Sequence, residues 1–487
     1  MSEPNPASAQ RRDHLPGGDR GHHLRNGVRG GVVLAASAAM VLAGLAGSAP
    51  QASAGPSHPS PVLHWNEVAG EAATAACIAP AANPLTESRM YAMTHIAIHD
   101  ALNAIHPRFA SQAADLFAPP GTSVDAAVAA AAWTVMASVL DEVPEPFGAE
   151  CGLKGLAVID RAYASALAGI PSGSAKNEGV AIGRRAAVAI IEQREGDGSD
   201  TPLIDPDYPQ GTAPGQWRFT EGNTFAFAPE WGSVKPFGLR SASQIQSAPP
   251  HRLSSAAYAR DYNEIKRLGG DGVTTPTSRT PQQTETALFW VESSPLSWNR
   301  LARSVAVRGR LDVWEQARLF GLLNIALADG YISSFAQKFT QKSWRPITAI
   351  RLGDTDGNRR TAGDPGWTPL LTTPPVPDHD SAHAVEGGAA SSVFRTVFGT
   401  DRFSFTQCSL TVAAGKCGDP NPVVHRFTRF SQAAAENSVS RVYVGFHFRW
   451  ASMQGQRHGE AIGRYVATRM MGPVHPPVRS RAGKVLH

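Results

Sequence analysis

From about residue 68 to residue 192, apolar residues recur at three- and four-residue spacing, in segments near 86–105, 124–142, 154–168 and 176–193 separated by Pro or Gly. The same period returns near 256–268, 281–292, 311–338, 383–397, 431–446 and 456–470, and no alternating strand pattern of comparable length competes with it. This predicts an all-α protein. No unit repeats at a solenoid period, which leaves a helical bundle with long surface loops. One loop stands apart. Residues 196–250 are rich in Pro, Gly and aromatics, as in Pro214-Gly215-Gln216-Trp217 and Pro229-Glu230-Trp231-Gly232, and so many large rings predict an ordered excursion.

The 487 residues, 42% hydrophobic and 18% charged, suffice for a substantial core and exclude a disordered tail. A net charge of +4 is too small to make nucleic acid the default partner. The N-terminus reads as an export signal. A basic stretch ending in Arg25 and Arg29 leads into the apolar run Gly31 to Gly47, and Ala52-Ser53-Ala54 offers a small-residue cleavage site after Ala54. Arg11-Arg12 lies far from that run and gives weak support to a twin-arginine route. The expected mature protein is secreted, carries no stable membrane span and is nearly neutral. Residues 55–66 are expected to be a flexible lead-in, 67–475 a single helical domain and 476–487 a tail. The uncharged stretch Ala126 to Leu140 is expected to be a core helix. Four cysteines in an exported chain allow disulfides. Cys408 and Cys417 would close a short loop and leave Cys77 with Cys151, although sequence alone does not fix the connectivity.

Three short stretches within 330–450 carry the chemistry. Lys338 and Arg345 are seven residues apart, about two helical turns, so one helix face would present both about 10 Å apart to an anion. In Pro377-Asp378-His379-Asp380-Ser381-Ala382-His383, an N-cap signal places Ser381, Ala382 and His383 in a first helical turn. The free N–H groups of that turn would face an oxyanion, and the following Gly387-Gly388-Ala389-Ala390-Ser391-Ser392 would let it approach the backbone. In Ser440-Arg441-Val442-Tyr443-Val444-Gly445-Phe446-His447, Arg441 and His447 are six apart. They would converge on one ligand only if it lay across the helix or the helix ended between them.

Together, Lys-x6-Arg-Pro, Ser-x-His and Ser-Arg-x5-His in this order resemble the signature of the vanadium-dependent haloperoxidases and type 2 phosphatidic acid phosphatases. Ile350-Arg351-Leu352-Gly353-Asp354, Trp367-Thr368-Pro369-Leu370, the Arg89-to-Ile105 helix and Trp231-Gly232-Ser233-Val234-Lys235-Pro236-Phe237 extend the likeness to the secreted bacterial haloperoxidase-like branch, over most of residues 70–470. The resemblance implies a helical bundle in which Lys338, Arg345, Arg441, Ser381 and the Ala382 N–H bind vanadate, or phosphate in the same place. It makes His447 the axial vanadium ligand or the phosphoryl acceptor, and His383 the acid–base group. Hydrogen peroxide and a halide would be the substrates of a peroxidase giving hypohalous acid. A phosphate monoester would be that of an acid phosphatase working through a phosphohistidine. A third reading is a non-catalytic oxyanion binder. A homodimer is compatible with each.

Two departures bear on these readings. Ala382 stands where the family commonly has Gly, adding a methyl beside the anion. Ala451, four residues after His447, replaces the orienting Asp of the phosphatase-type motif and weighs against a phosphatase. Near His383, Asp378 and Asp380 are expected to favour its charged form and the helix N-terminus its neutral one. His95, His99 and Asp100 have metal-ligand spacing but no second ligand pair, and read as packed helix. Asp354, Asp356 and Asn358 resemble the start of a calcium loop, yet Arg359 sits where the turn needs Gly, so an ordinary turn is expected.

Overall fold

The computed structural model describes residues 60–474 apart from Ala81, 144–147 and Ala414. The export segment, its cleavage after Ala54 and the 476–487 tail lie outside the described residues. Among the described residues thirteen α-helices follow in order: α1 Pro61–Ala75, α2 Pro84–Ile105, α3 Val124–Asp141, α4 Gly148–Ala168, α5 Ser174–Gln193, α6 Ala256–Leu268, α7 Pro281–Phe289, α8 Ser294–Arg308, α9 Val313–Gln341, α10 Pro346–Arg351, α11 Ala382–Val397, α12 Phe430–Tyr443 and α13 Arg449–Arg469. The all-α class holds. The lead-in expected to stay flexible to residue 66 is helical from Pro61, because Pro fits the first helical position and Val62, Trp65 and Val68 bury against the bundle. Helix α8 has no counterpart among the predicted segments. Its inner face includes Ser294, Ser297 and Asn299, which blur the apolar period.

The long helix α9 is the spine. Asp312 and Glu315 form a reciprocal capping box at its start, and from Gln316 to Lys338 nearly every side chain is buried. Helices α3 and α9 are long and apolar enough to cross a bilayer, but their apolar windows are 61% and 94% buried inside the protein. The expected core helix at 126–140 is therefore found as such. Helix α11 packs on α9 and α13. Gly455, Gly459 and Gly463 form a stripe on α13 against α11, where a Cβ at Gly455 would lie 2.6 Å from the Ser381 carbonyl. Cβ atoms at Gly459 and Gly463 would overlap the carbonyls of Val385 and Ala389, and one at Gly388 would overlap that of Gln456. Here the run 387–392 departs from its expected role. Its glycines serve helix–helix approach, not anion approach.

Two small antiparallel pairs complete the fold: β1 Ile204–Asp205 with β2 Ala226–Phe227, and β3 Arg402–Cys408 with β4 Val424–Arg429. Strand β3 does alternate, with Phe403 and Phe405 turned toward Phe430, but six or seven residues are too few to stand out beside fifteen-residue helical periods. The excursion at 196–250 is ordered as expected, with Trp217 and Trp231 each 2% exposed. Both expected disulfides, Cys77–Cys151 and Cys408–Cys417, are formed.

Candidate active site

Lys338, Arg345, Ala382, His383, Arg441 and His447 line one cavity of about 250 Å³ at the C-terminal end of α9. Its remaining wall is apolar, with Phe225, Phe227, Tyr331, Phe335, Val376 and Phe446. Phe225 and Phe227 come from the Pro- and Gly-rich excursion, which shows what that segment contributes.

The residues converge by routes the spacing arguments only partly anticipated. Lys338 lies in the last turn of α9, but α9 ends at Gln341 and Lys342 turns left-handed. Arg345 stands at the N-cap of α10, so the two cations reach the cavity from separate elements and not from one helix face. Helix α12 ends at Tyr443, and Gly445, with φ +87°, reverses the chain so that the N–H of His447 reaches back to the Arg441 carbonyl at 3.2 Å. A Cβ on residue 445 would also strike the Gly269 carbonyl. The helix therefore ends between Arg441 and His447, the second of the two geometries that allow convergence.

Protein carbonyls aim each cation. Lys338 Nζ donates to the carbonyls of Pro377 and Asp378 at 2.9 and 3.1 Å. Arg345 Nε donates to Val376 O at 2.7 Å and Nη1 to Phe446 O at 2.8 Å, while Arg441 Nη1 donates to Trp290 O at 2.7 Å. All three side chains are at most 2% exposed. Burial, then the neighbouring Arg345 charge, lowers Lys338 to about 7. Burial lowers Arg345 to about 10, and burial with Arg345 lowers Arg441 to about 9. Three buried cations this close are costly unless an anion joins them.

Around this cavity, Ser381 Oγ, Arg441 Nε and the Tyr331 hydroxyl are buried without a protein partner. Ala382 and His383 lie in the first turn of α11 as expected, whereas Ser381 stands just before it at the N-cap and makes no capping bond, and the first N–H groups of α11, beginning with Ala382, have no intrahelical acceptors. Donors, charge and helix terminus thus converge on one small volume, and a tetrahedral oxyanion such as vanadate or phosphate fits that donor set.

His383 Nε2 lies 3.3 Å from the Glu292 carbonyl, which makes Nε2–H the donor and leaves Nδ1 as the acceptor. Its basicity is pushed well down by burial and then by Arg441. The expected aid from nearby carboxylates does not materialise, because both carboxylates are engaged elsewhere. Asp378 Oδ1 is 2.9 Å from His447 Nδ1, and Asp380 bonds His458 Nδ1 at 2.7 Å and Ser334 Oγ at 2.7 Å. His447 is 5% exposed, and burial followed by Arg345 and Lys338 keeps it neutral. No motif marks Asp378 as a partner of His447, since the 68 residues between them carry no local signal. Likewise, the carbonyls of Trp290 and Glu292 come from a turn that no motif marks.

The other candidates fall where expected. His95 Nε2 meets Asn66 Nδ2 at 2.8 Å, whereas His99 Nδ1 bonds Asp100, whose carboxylate caps the N–H groups of 112–114. Among the described residues no group of three or more His, Cys, Asp or Glu is placed to hold a metal ion directly. Asp354 and Asp356 accept turn N–H groups of Gly363 and Asn358.

Residues 59–225 match the family model described as the vanadium chloroperoxidase N-terminal domain, and 318–476 that of the second helical-bundle domain. The chain is 26% identical to the vanadium chloroperoxidase of Curvularia inaequalis over 80% of its length and 78% of that protein's. Its fold is similar to that of a bacterial vanadium-dependent iodoperoxidase, with a TM-score of 0.68 at 23% identity over 86% of this chain and all of the other. A holo bacterial vanadium-dependent chloroperoxidase follows with a TM-score of 0.63 at 18% identity, covering 83% and 95%.

Proposed function

We propose that this chain, which belongs to the superfamily of vanadium-dependent haloperoxidases and type 2 phosphatidic acid phosphatases, is a secreted haloperoxidase that oxidises halide with hydrogen peroxide to hypohalous acid. The observation that carries this reading is the two-sided cavity, cationic on one wall and aromatic on the other. A vanadate there would supply a Lewis-acid centre that activates peroxide without a change in oxidation state. Lys338, Arg345 and Arg441 would hold its oxygens and neutralise their charge, with Ser381 Oγ and the Ala382 N–H adding neutral hydrogen bonds. His447 offers Nε2 as the nitrogen ligand. His383 exchanges a proton at Nδ1, while the Glu292 carbonyl fixes its ring. Phe225, Phe227, Phe335 and Phe446 exclude water from that side and suit a small polarisable anion better than a hydrated phosphate ester. The two disulfides support export, because such bridges persist in oxidising compartments.

A second reading, an acid phosphatase with a phosphohistidine at His447, gains from one observation. Asp378 supplies the carboxylate that Ala451 cannot, so the sequence objection to that reaction is weaker than it looked. Phosphate-free protein assayed with and without orthovanadate, for peroxide-dependent bromination and for p-nitrophenyl phosphate hydrolysis, separates the two. Bromination that requires vanadate supports the peroxidase. Hydrolysis that vanadate inhibits would replace it with the phosphatase, and oxyanion binding with neither turnover would leave a non-catalytic binder.

A further inference from the structure

Asp378 stands between two cavities. Its backbone carbonyl receives Lys338 at the edge of the cationic cage, and its carboxylate meets His447 Nδ1. The residue also lines a separate cavity of about 370 Å³ behind the cage, walled by Tyr258, Trp344, Phe448, Trp450 and Ala451. An ionised carboxylate only accepts hydrogen bonds, so the ring nitrogen facing it must be N–H. A neutral imidazole protonated at Nδ1 keeps its lone pair at Nε2, on the ring edge that Arg345 Nη1 flanks at 2.9 Å from Nε2 and 3.3 Å from Nδ1. Among the described residues no other acidic side chain bonds His447. Ala451, the position that lacks an acid on α13, opens onto the same rear cavity as Asp378.

We propose that Asp378 is the positioning residue of the site. From the loop before α11 it fixes the tautomer and aim of His447, taking the place an acidic residue at 451 would otherwise fill. The inference rests on the reading that His447 presents Nε2 to the bound oxyanion. A bare counter-charge role makes the opposite forecast for anions. Removing a negative charge beside Lys338 and Arg345 would strengthen every anion held by charge alone. Loss of an orienting partner instead weakens the one anion that needs the Nε2 lone pair. Second-sphere partners of ligating histidines are typically worth about 10- to 100-fold in affinity.

The test uses the mature protein at pH 8. Sulfate and orthovanadate affinities are measured by titration calorimetry for the wild type, Asp378→Ala and the double variant Asp378→Ala/Ala451→Asp. In parallel, 15N-histidine NMR reads the His447 tautomer, assigned with His447→Gln. In Asp378→Ala, sulfate binding is expected to hold or tighten, orthovanadate to weaken about 10- to 100-fold, and an Nε2–H form of His447 to appear. The double variant is expected to regain orthovanadate affinity and the Nδ1–H form. Parallel shifts of both anions, or an unchanged tautomer, would overturn the role. If the alanine variant does not fold, Asp378→Asn carries the same opposed-anion comparison. Failure of the wild type to bind orthovanadate would sink the proposed function instead, and the tautomer would still decide the part played by Asp378.

Discussion

Replacing Lys338 with Met gives a stability change whose pH dependence follows from the cage. Lys338 has an ordinary value of 10.5 and is lowered to about 7 in the folded protein, by burial first and Arg345 second. Between those values the unfolded chain binds the proton more readily than the folded one. The penalty for a buried charge is therefore fully present below pH 7, and it vanishes only as pH rises toward 10.5. At about 1.4 kcal/mol per pH unit, and with half of Lys338 still protonated in the folded protein at pH 7, wild type should gain about 2 kcal/mol on Lys338→Met between pH 7 and pH 9. Asp378 works in the same direction, since without the lysine its carboxyl, already raised to about 7 by burial, is held higher still. The two carbonyls that Lys338 serves, Pro377 and Asp378, add an offset of about 1–3 kcal/mol that does not depend on pH. Urea unfolding of both proteins in oxyanion-free buffer at the two pH values measures the difference directly. A difference constant to about 0.5 kcal/mol, near the error of such comparisons, would refute the claim that burial at Lys338 outweighs the nearby carboxylates of Asp378 and Asp380.

Three further outcomes follow from the same geometry. Sulfate does not titrate between pH 6 and 9, so its affinity should fall as pH rises above about 7 and Lys338 loses its proton; Lys338→Ala should both weaken binding at pH 6 and flatten that dependence, as calorimetry would show. His383→Ala should lower turnover by about 10²- to 10⁴-fold while leaving oxyanion affinity within a few-fold, and an equal loss in both would remove its acid–base role. Gly459→Val should lower the midpoint of thermal unfolding sharply, by more than about 3 kcal/mol of stability, because its Cβ meets the Val385 backbone; tolerance of valine would show that α11 and α13 can separate.

The helices were legible because their signal is local. Period, caps and Pro or Gly punctuation lie within each segment, so α2, α3, α5, α6, α9 and α11 begin or end within a few residues of their expected bounds. What escaped was decided by distant contact. Helix α8 buries Asn299 against Asn66 and Asn324, a polar network no periodicity reveals. The cage residues were legible as three motifs, yet the break between Lys338 and Arg345 and the turn at Gly445 were not, since each depends on where the chain is received by a neighbour. Asp378 shows the limit most clearly. Its place in the loop predicts help for His383, its near neighbour in sequence, whereas packing delivers it to His447.

On the proposed function, the cage binds one vanadate at His447 and halide oxidation depends on it. Apo protein is titrated with orthovanadate while peroxide-dependent bromination is followed, with His447→Ala in parallel. Activity should rise linearly to a plateau near one vanadate per chain and stay at background in the variant. Bromination without vanadate, or full activity in His447→Ala, would contradict the account.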